Sequence, residues 1–202
     1  MPRPLNPVVN RALRRHVGRW LLACVAGLCM QAVLAKPARA QSAIPNHQLE
    51  RKIKAAFLVK FLGYAEFPPQ AFADAAAPLT IGVVGADDLA AELARQVIGR
   101  AIGNRGIVVR QLRETDGAVP VHLLFVGGRD PDWVGRTVRQ ASGAMLVVTE
   151  CENGLQQGSA INFRLIDEHV RFDVSLDAAE RHGVRLSSRL LTVATRVQKG
   201  VQ

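Results

Sequence analysis

Residues 167–169 are the stretch of this sequence that most resembles a metal or acid–base site. Asp167 and Glu168 supply two carboxylates and His169 an imidazole. A metal site would need further ligands from elsewhere and a fixed geometry. Adjacent residues of a short polar turn usually point apart and stay solvated. We therefore interpret this segment as a turn and predict no metal site.

Residues 81–88 place a glycine turn between an apolar strand and the start of a helix. This arrangement can present backbone N–H groups to an anion. A dinucleotide fingerprint needs three glycines at fixed spacing, and only Gly82 and Gly85 occur here. Asp87 and Asp88 would also repel a phosphate at this helix end. We interpret the segment as a tight turn with acidic capping and predict no cofactor.

Catalytic motifs are missing from the sequence. No G-x-S-x-G, H-E-x-x-H, P-loop or C-x-x-C pattern occurs, and each of these places a nucleophile, a metal or a phosphate. The histidines beyond the first 40 residues do not pair in sequence with a nucleophile; they are His47, His122, His169 and His182. We predict that the protein is not an enzyme.

Basic and aromatic residues indicate one candidate binding groove. Lys60 and Tyr64 lie on the first predicted helix, and Arg171 lies beside an aromatic residue of a predicted hairpin. If the helix meets the hairpin, these side chains could line a groove for an anion. The alternative is that each charge is simply solvated, as most Lys and Arg are. With Asn162 of the same hairpin, the predicted ligand-binding set is Lys60, Tyr64, Asn162 and Arg171.

The first 40 residues have the pattern of a secretory signal peptide. Five arginines precede a mostly apolar run over 20–34, and Ala38-Arg39-Ala40 forms an A-x-A cleavage site. The run is shorter than the roughly 20 residues of a membrane-spanning helix. We expect cleavage after Ala40 and export to the periplasm, where residues 41–202 form the exported domain.

Removing the signal changes how the charge is interpreted. The whole chain has 26 basic and 17 acidic residues, but seven of the basic residues and no acidic residue lie in positions 1–40. The 19 basic and 17 acidic residues that remain nearly balance. Nucleic-acid binding therefore loses its main support, which is a concentrated basic patch.

Cysteine usage bounds the redox chemistry of the exported protein. Of three cysteines, Cys24 and Cys29 lie within the signal and only Cys151 remains. An internal disulfide is then impossible in residues 41–202. Cys151 either is buried and inert or pairs between chains, and burial is the commoner state of a free cysteine.

Hydrophobic periodicity predicts alternating helices and strands. Leu49, Ile53, Phe57 and Phe61 recur every fourth residue and predict one buried helix face. Further strands are predicted over 79–84, 107–112, 121–126, 145–148, 161–165 and 170–174. Further helices are predicted over 89–98, 131–140 and 176–182, with a last one that begins at Ser187 and turns Leu190, Leu191, Ala194 and Val197 to one face.

Alternating strands and helices imply crossover connections, and the closing hairpin implies an antiparallel edge. We therefore predict the α/β class: a single three-layer domain with a mixed sheet of about six strands, flanked by helices on both faces.

Several ordered blocks of the chain are similar to one known family. The blocks are residues 54–61, 64–68, 79–85, 122–127, 145–149, 158–163, 170–174 and 186–191. The most specific are the first helix with its aromatic-proline end and the final Leu-Ser-Ser-Arg-Leu-Leu. In order and spacing, the set resembles the YfiR family of small periplasmic proteins and covers nearly all of residues 41–202.

The resemblance implies a function that no single motif reveals. It implies a dimeric periplasmic α/β domain that is not catalytic and that represses an inner-membrane diguanylate cyclase, which limits cyclic di-GMP and biofilm growth. A sensor kinase with a periplasmic domain is the alternative membrane partner. A periplasmic sensor of a small anion or nucleotide is the alternative function. Redox control by an internal disulfide is not implied, because Cys151 has no internal mate.

Overall fold

The computed structural model describes residues 43–117 and 119–200. The predicted signal peptide and its cleavage site lie outside these residues. Within the two described segments, no helix is long and apolar enough to cross a membrane.

Ten strands form one large sheet and one small ribbon. The strands are β1 (Ala65–Glu66), β2 (Leu79–Val84), β3 (Ala101–Ile102), β4 (Arg105–Leu112), β5 (Leu123–Val126), β6 (Leu146–Thr149), β7 (Ile161–Ile166), β8 (His169–Ser175), β9 (Arg185–Leu186) and β10 (Arg196–Gln198). The large sheet has the order β10-β8-β7-β6-β5-β2-β4-β3, and β1 pairs with β9 in the ribbon. Strands β4, β2, β5, β6 and β7 are parallel, whereas β3 and β8 run antiparallel to their neighbours β4 and β7. Strand β10 runs parallel to β8.

Helices connect these strands, and three of the helices begin at side-chain caps. The helices are α1 (Ala43–Tyr64), α2 (Asp87–Gln96), α3 (Pro131–Gln140), α4 (Leu176–Arg181) and α5 (Ser188–Leu191), with short 3-10 turns at Pro69–Ala71 and Glu114–Asp116. The Asp130 side chain accepts hydrogen bonds from two backbone N–H groups at the start of α3, and Ser175 and Ser187 cap α4 and α5 in the same way.

The sheet is covered by helices on both faces, which confirms the predicted three-layer architecture. Side chains of a strand alternate between faces, and here the two sets enter two separate clusters. Ile81 and Phe125 join the core under α1, α2 and α4. Val84 and Val126 join the core under α3. The central strands β2, β5 and β6 are buried along their whole length, as expected of parallel strands covered twice.

The hairpin of β7 and β8 pairs as the alternation predicted, with Phe163 opposite Phe172. Asp167 and Glu168 form its two-residue turn and both have positive φ, at 48° and 61°. That backbone is typical of a tight hairpin turn. The segment 167–169 is thus the connection of a hairpin, and all three side chains are exposed.

The start of α1 differs from the sequence-based expectation. The helix begins at Ala43, and Leu49 of the predicted apolar stripe is 57% exposed. Phe61 is fully buried, while Ile53 and Phe57 are partly buried against the core. The stripe fails at Leu49 because the start of α1 is not covered: residues 46–49 are exposed, whereas Ala55, Leu58 and Phe61 further along are fully buried.

The chain end also differs. The predicted last helix stops at Leu191, and its predicted apolar residue Val197 lies in β10 with 41% exposure. Backbone pairing of β10 with β8 replaces the helical hydrogen bonds there. The sheet therefore has eight strands instead of about six, because β3 and β10 add short edges.

Candidate functional site

The order in which the chain adds strands to the sheet changes direction at β2. Strand β2 lies between β4 and β5, so the chain first adds β4 on one side and then β5 on the other. The following helices α2 and α3 pack on opposite faces. The crevice outside the carboxyl ends of such strands is where open α/β sheets bind ligands.

Two glycine loops meet at this point. Gly85 follows β2 with φ of 72°, and an added Cβ would lie 2.8 Å from Trp133 and 3.0 Å from the carbonyl oxygen of Gly127. An added Cβ at Gly127 would lie 2.7 Å from Ala86. Both glycines are therefore required by close backbone approach, which agrees with the predicted tight turn.

A cleft opens beside these loops, and we name it the edge crevice. It has a volume of about 610 Å³ and is lined by His47, Glu50, Arg51, Lys54, Gly85, Ala86, Asp87, Asp88, Leu89 and Glu150. The amino-terminal half of α1 forms one wall, the start of α2 forms another, and the segment after β6 closes the end. A second cleft of about 530 Å³ shares four of these residues and continues towards Arg129 and Leu165.

A nearly buried lysine lies at the centre of the edge crevice. Lys54 Nζ donates to Glu50 Oε1 at 2.5 Å and to Glu150 Oε2 at 2.6 Å. The exposed fractions are 14% for Lys54 and 22% for each glutamate. The Gly128 N–H donates to the other oxygen of Glu150 at 3.4 Å. Lys54 therefore ties α1 to the segments after β5 and β6.

The pKa shifts in this cluster favour the charged forms of Lys54 and Glu50. Burial alone would lower the pKa of Lys54, but the attraction and hydrogen bond of Glu150, with those of Glu50, raise it above 10.5. Burial alone would raise the pKa of Glu50, but Lys54 and the nearby His47 lower it below 4.5. Acid–base catalysis needs a pKa near the working pH, and both shifts run away from neutrality. The cluster is therefore built as a clamp rather than as a proton-transfer site.

The rest of the edge crevice is acidic. Arg51 pairs with Asp88 at 2.8 Å, and His47 lies 3.6 Å from Glu50. Four carboxylates and only two permanently basic side chains line the edge crevice. Helix α2 starts at Ala86 without a side-chain cap, but Asp87 and Asp88 occupy its first turn. Repulsion from these carboxylates disfavours a phosphate at the helix start, as the sequence predicted.

The predicted ligand-binding residues lie in three different environments. Lys60 is exposed on α1, and Tyr64 at the end of α1 is partly buried against the core. Arg171 is exposed on β8, directly opposite Arg164 of β7. None of the three lines the edge crevice. Among the residues that the structure describes, no hydrogen bond or ring contact joins Lys60 or Tyr64 to Arg171, so the groove stays a prediction.

Asn162 is held inside the protein by its own hydrogen bonds. It is 4% exposed; its Oδ1 accepts from Thr149 Oγ1 at 2.7 Å and its Nδ2 donates to the Cys151 carbonyl at 3.0 Å. These bonds use both ends of the amide, so Asn162 positions the loop after β6 rather than presenting a free amide.

His122 and Cys151 are buried reactive groups that lie apart from each other in the fold. His122 Nδ1 accepts from the Thr80 N–H at 3.0 Å, and its ring stacks on Phe72 with centroids 4.6 Å apart. Burial lowers the pKa of His122 below 6.5. Burial raises the pKa of the Cys151 thiol above 9.0, which disfavours the nucleophilic thiolate. Among residues 43–117 and 119–200, no group of three His, Cys, Asp or Glu is placed to hold a metal ion.

Sequence inspection missed the Lys54–Glu150 pair because 96 positions separate the two residues. The one local signal was the spacing of Glu50 and Lys54, which are four apart and therefore share a helix face. Glu150 follows β6, and it is a partner of Lys54 only because the folded sheet places the carboxyl end of β6 beside α1.

Comparison with known protein families identifies a match over most of the chain. The protein-family model described as YfiR/HmsC-like matches residues 51–195. This range contains nearly all the described residues and every strand except β10. No curated protein matches the chain.

Proposed function

Because the chain belongs to the YfiR/HmsC-like family, we propose that it is a non-catalytic periplasmic regulatory protein that represses an inner-membrane diguanylate cyclase. By this action it limits cyclic di-GMP and biofilm growth. The family match over residues 51–195 is the observation that carries the proposal. The pattern of a signal peptide in residues 1–40 supports the periplasmic location.

Repression requires a difference in affinity for two states of the partner. A protein that binds the inactive periplasmic conformation of the cyclase better than the active one shifts the population towards inactivity. The size of the shift is limited by that difference. No chemistry is required, which agrees with the direction of both pKa shifts in the edge crevice.

The first part of α1 and the end of the hairpin are the surfaces that we expect to contact the partner. Leu49 on α1 and Leu165 on β7 are large apolar side chains, each 57% exposed. Both lie near the same end of the sheet, since Leu165 and the α1 residues His47 and Glu50 line one cleft. Lys60 is exposed further along α1. Buried interface cores commonly use such apolar residues with a charged rim.

Capture of the partner tests the proposal. The exported, tagged protein is cross-linked mildly in the cell envelope, purified after detergent extraction, and the captured proteins are identified by mass spectrometry. We expect a membrane protein with a periplasmic domain joined to a diguanylate cyclase domain. A sensor kinase in its place would keep the regulatory function and replace the partner.

A matched pair of variants separates specific capture from background. Leu165→Ser changes an exposed residue of the expected surface, and Val193→Ser changes an equally exposed apolar residue elsewhere, at 62%. We expect Leu165→Ser to reduce capture and to raise cellular cyclic di-GMP, with Val193→Ser unchanged. Equal cyclic di-GMP with and without the protein would exclude repression of a cyclase.

Homodimerisation is part of the proposal and has its own test. Light scattering of the purified exported protein at several concentrations gives its mass directly. We expect twice the chain mass at micromolar concentration. A monomer at all concentrations would remove the dimer but not the regulatory role.

A periplasmic small-ligand sensor is the second candidate function, and the edge crevice favours it. The crevice lies at the position where α/β sheets bind ligands, and its volume of about 610 Å³ suits a small molecule. Its excess of carboxylates favours a cationic ligand over the anion or nucleotide expected from the sequence. A thermal-shift screen with spermidine and with GMP distinguishes these classes, because a ligand that binds the folded state raises Tm.

A further inference from the structure

A polar pocket lies on the face of β7, β8 and β10 that points away from α1. We name it the sheet-face pocket. It has a volume of about 330 Å³, near the lower end of ligand-pocket sizes. Asn162, Arg164, Asp173, Arg196 and Gln198 lie on its sheet side, and the loop after β6 forms the opposite wall. Helix α3 covers this face only further along the sheet, at β5 and β6.

The floor of the sheet-face pocket is fixed by a hydrogen-bond network. Thr149 Oγ1 lies 2.9 Å from Ser159 Oγ and 2.7 Å from Asn162 Oδ1. Gly154 of the loop packs directly on this network, because an added Cβ would lie 2.2 Å from Thr149 Oγ1. The loop is therefore packed against β7 at the floor of the pocket.

Asp173 lines this pocket, and one oxygen of its carboxylate is an unmet acceptor with almost no exposed surface. Asp173 is 6% exposed, and its Oδ1 has no hydrogen-bond partner among the described residues. Its other oxygen, Oδ2, accepts from Arg164 Nη1 at 3.3 Å. That distance is long for a charge-assisted bond, and the Arg164 side chain is 51% exposed. Arg164 can therefore move aside for a better donor. A buried carboxylate oxygen without a donor is costly, so this site favours a ligand that supplies one.

Arg196 brings the complementary charge. It lies beside Asp173 in the register of β10 and β8, so both side chains point to the same face. Arg196 is exposed and forms no ion pair with any residue of the described segments. The pocket thus offers an acceptor for a cationic N–H group next to a free guanidinium for a carboxylate. Glu152 and Arg164 also line the pocket and balance each other in charge.

We propose that the sheet-face pocket binds a small zwitterion, whose ammonium group takes the place of Arg164 as a donor to the Asp173 carboxylate and whose carboxylate pairs with Arg196. A free anion would face Asp173, and a free cation would face two arginines, so neither matches both sides of the pocket. The pocket holds no aromatic side chain among its lining residues, which favours a compact amino acid without a large apolar group. This site does not depend on the proposed repression of a cyclase.

Titration calorimetry with glycine, β-alanine and γ-aminobutyrate tests the proposal on the exported protein. The three probes differ only in the distance between ammonium and carboxylate, so the tightest one measures the span from Asp173 to Arg196. Trimethylglycine is the matched control, because it keeps both charges but has no N–H to donate. We expect at least one of the three probes to bind with a Kd below about 1 mM and trimethylglycine to bind at least about tenfold more weakly.

Three variants assign the binding to the pocket. Asp173→Asn removes the charge with little change of shape, and Arg196→Gln changes an exposed side chain and leaves the core untouched. We expect each to weaken the tightest probe at least about tenfold. Arg181→Gln changes an exposed arginine that does not line the pocket and should leave the affinity unchanged. Circular dichroism establishes that each variant is folded.

The proposal is overturned if none of the three probes binds at 10 mM. It is also overturned if trimethylglycine binds as tightly as glycine, or if a folded Arg196→Gln variant keeps the wild-type affinity. Loss of binding in Arg181→Gln as well would place the ligand elsewhere.

Discussion

Replacing Lys54 with methionine should destabilise the protein by about 2–3 kcal/mol, although the lysine lies at a cleft. The change keeps the length and apolar stem of the side chain but leaves the carboxylates of Glu50 and Glu150 without their shared cation. At an effective dielectric constant of about 20, charges about 4 Å apart attract by about 4 kcal/mol. Lost hydration cancels part of this, since all three side chains are mostly buried.

The expected value lies between two measured classes of ion pair. Exposed pairs contribute up to about 1 kcal/mol, whereas breaking a fully buried pair costs about 3–5 kcal/mol. The exposed fractions of 14% and 22% place this cluster between them. For a chain of this size, 2–3 kcal/mol corresponds to a fall in Tm of about 4–12 °C.

Chemical denaturation followed by circular dichroism measures the loss. Lys52→Met is the matched control, because Lys52 is an exposed lysine on the same helix; we expect it to change the unfolding free energy by less than about 0.5 kcal/mol. A double-mutant cycle of Lys54→Met with Glu150→Gln should give a coupling of about 1–2 kcal/mol.

The dependence on pH supplies a second check. The pKa of Glu50 is lowered in the folded state, so its contribution is present above pH 4.5 and is lost as the pH falls through the folded-state value. The gap between wild type and Lys54→Met should therefore shrink in acid below that pH. A Lys54→Met variant as stable as Lys52→Met at neutral pH would refute the stabilising role of the Lys54 cluster.

Three further predictions follow from the core and the turns. Acidification should destabilise the protein below about pH 6.5, since burial lowers the pKa of His122 in the folded state and the neutral form is favoured there; His122→Gln should flatten the stability–pH curve from pH 7 to 5. Gly85→Ala should cost more than Gly99→Ala by at least about 1 kcal/mol, because both have positive φ but only Gly85 also meets Trp133 and Gly127; equal unfolding free energies would contradict the close approach. Phe61→Ala should cost about 3–5 kcal/mol and Phe57→Ala less, because Phe61 is fully buried whereas Phe57 is only partly so; denaturant titration of the two variants gives the order.

Local patterns in the sequence predicted most of the sheet. The run at 79–84 is a strand over that range, and Pro131–Gln140 is a helix with the predicted bounds. These predictions succeed because the deciding information lies within a few residues: apolar periodicity, a cap such as Ser175, or a turn residue such as Asp167 that tolerates positive φ. The family resemblance is likewise a property of ordered local blocks, and the family match confirms it.

Short edge strands were missed because no side-chain pattern specifies them. Strand β10 has three residues and β3 has two, and neither is long enough for alternation to be visible. Their conformation comes from backbone hydrogen bonds to a strand already in place. The predicted last helix begins after its predicted cap Ser187, but its extension to Val197 was wrong for this reason, because Val197 pairs with β8.

The amino-acid sequence alone determined the fold class, the positions of the central strands and the family. Only the tertiary structure decided which charged and polar side chains meet. Lys54 reaches Glu150 across 96 positions, and Asp173 lies beside Arg196 because β10 returns to pair with β8. The physical reason is that secondary structure follows from interactions between near neighbours in the chain, whereas a binding site is formed by residues that strand order and register bring together.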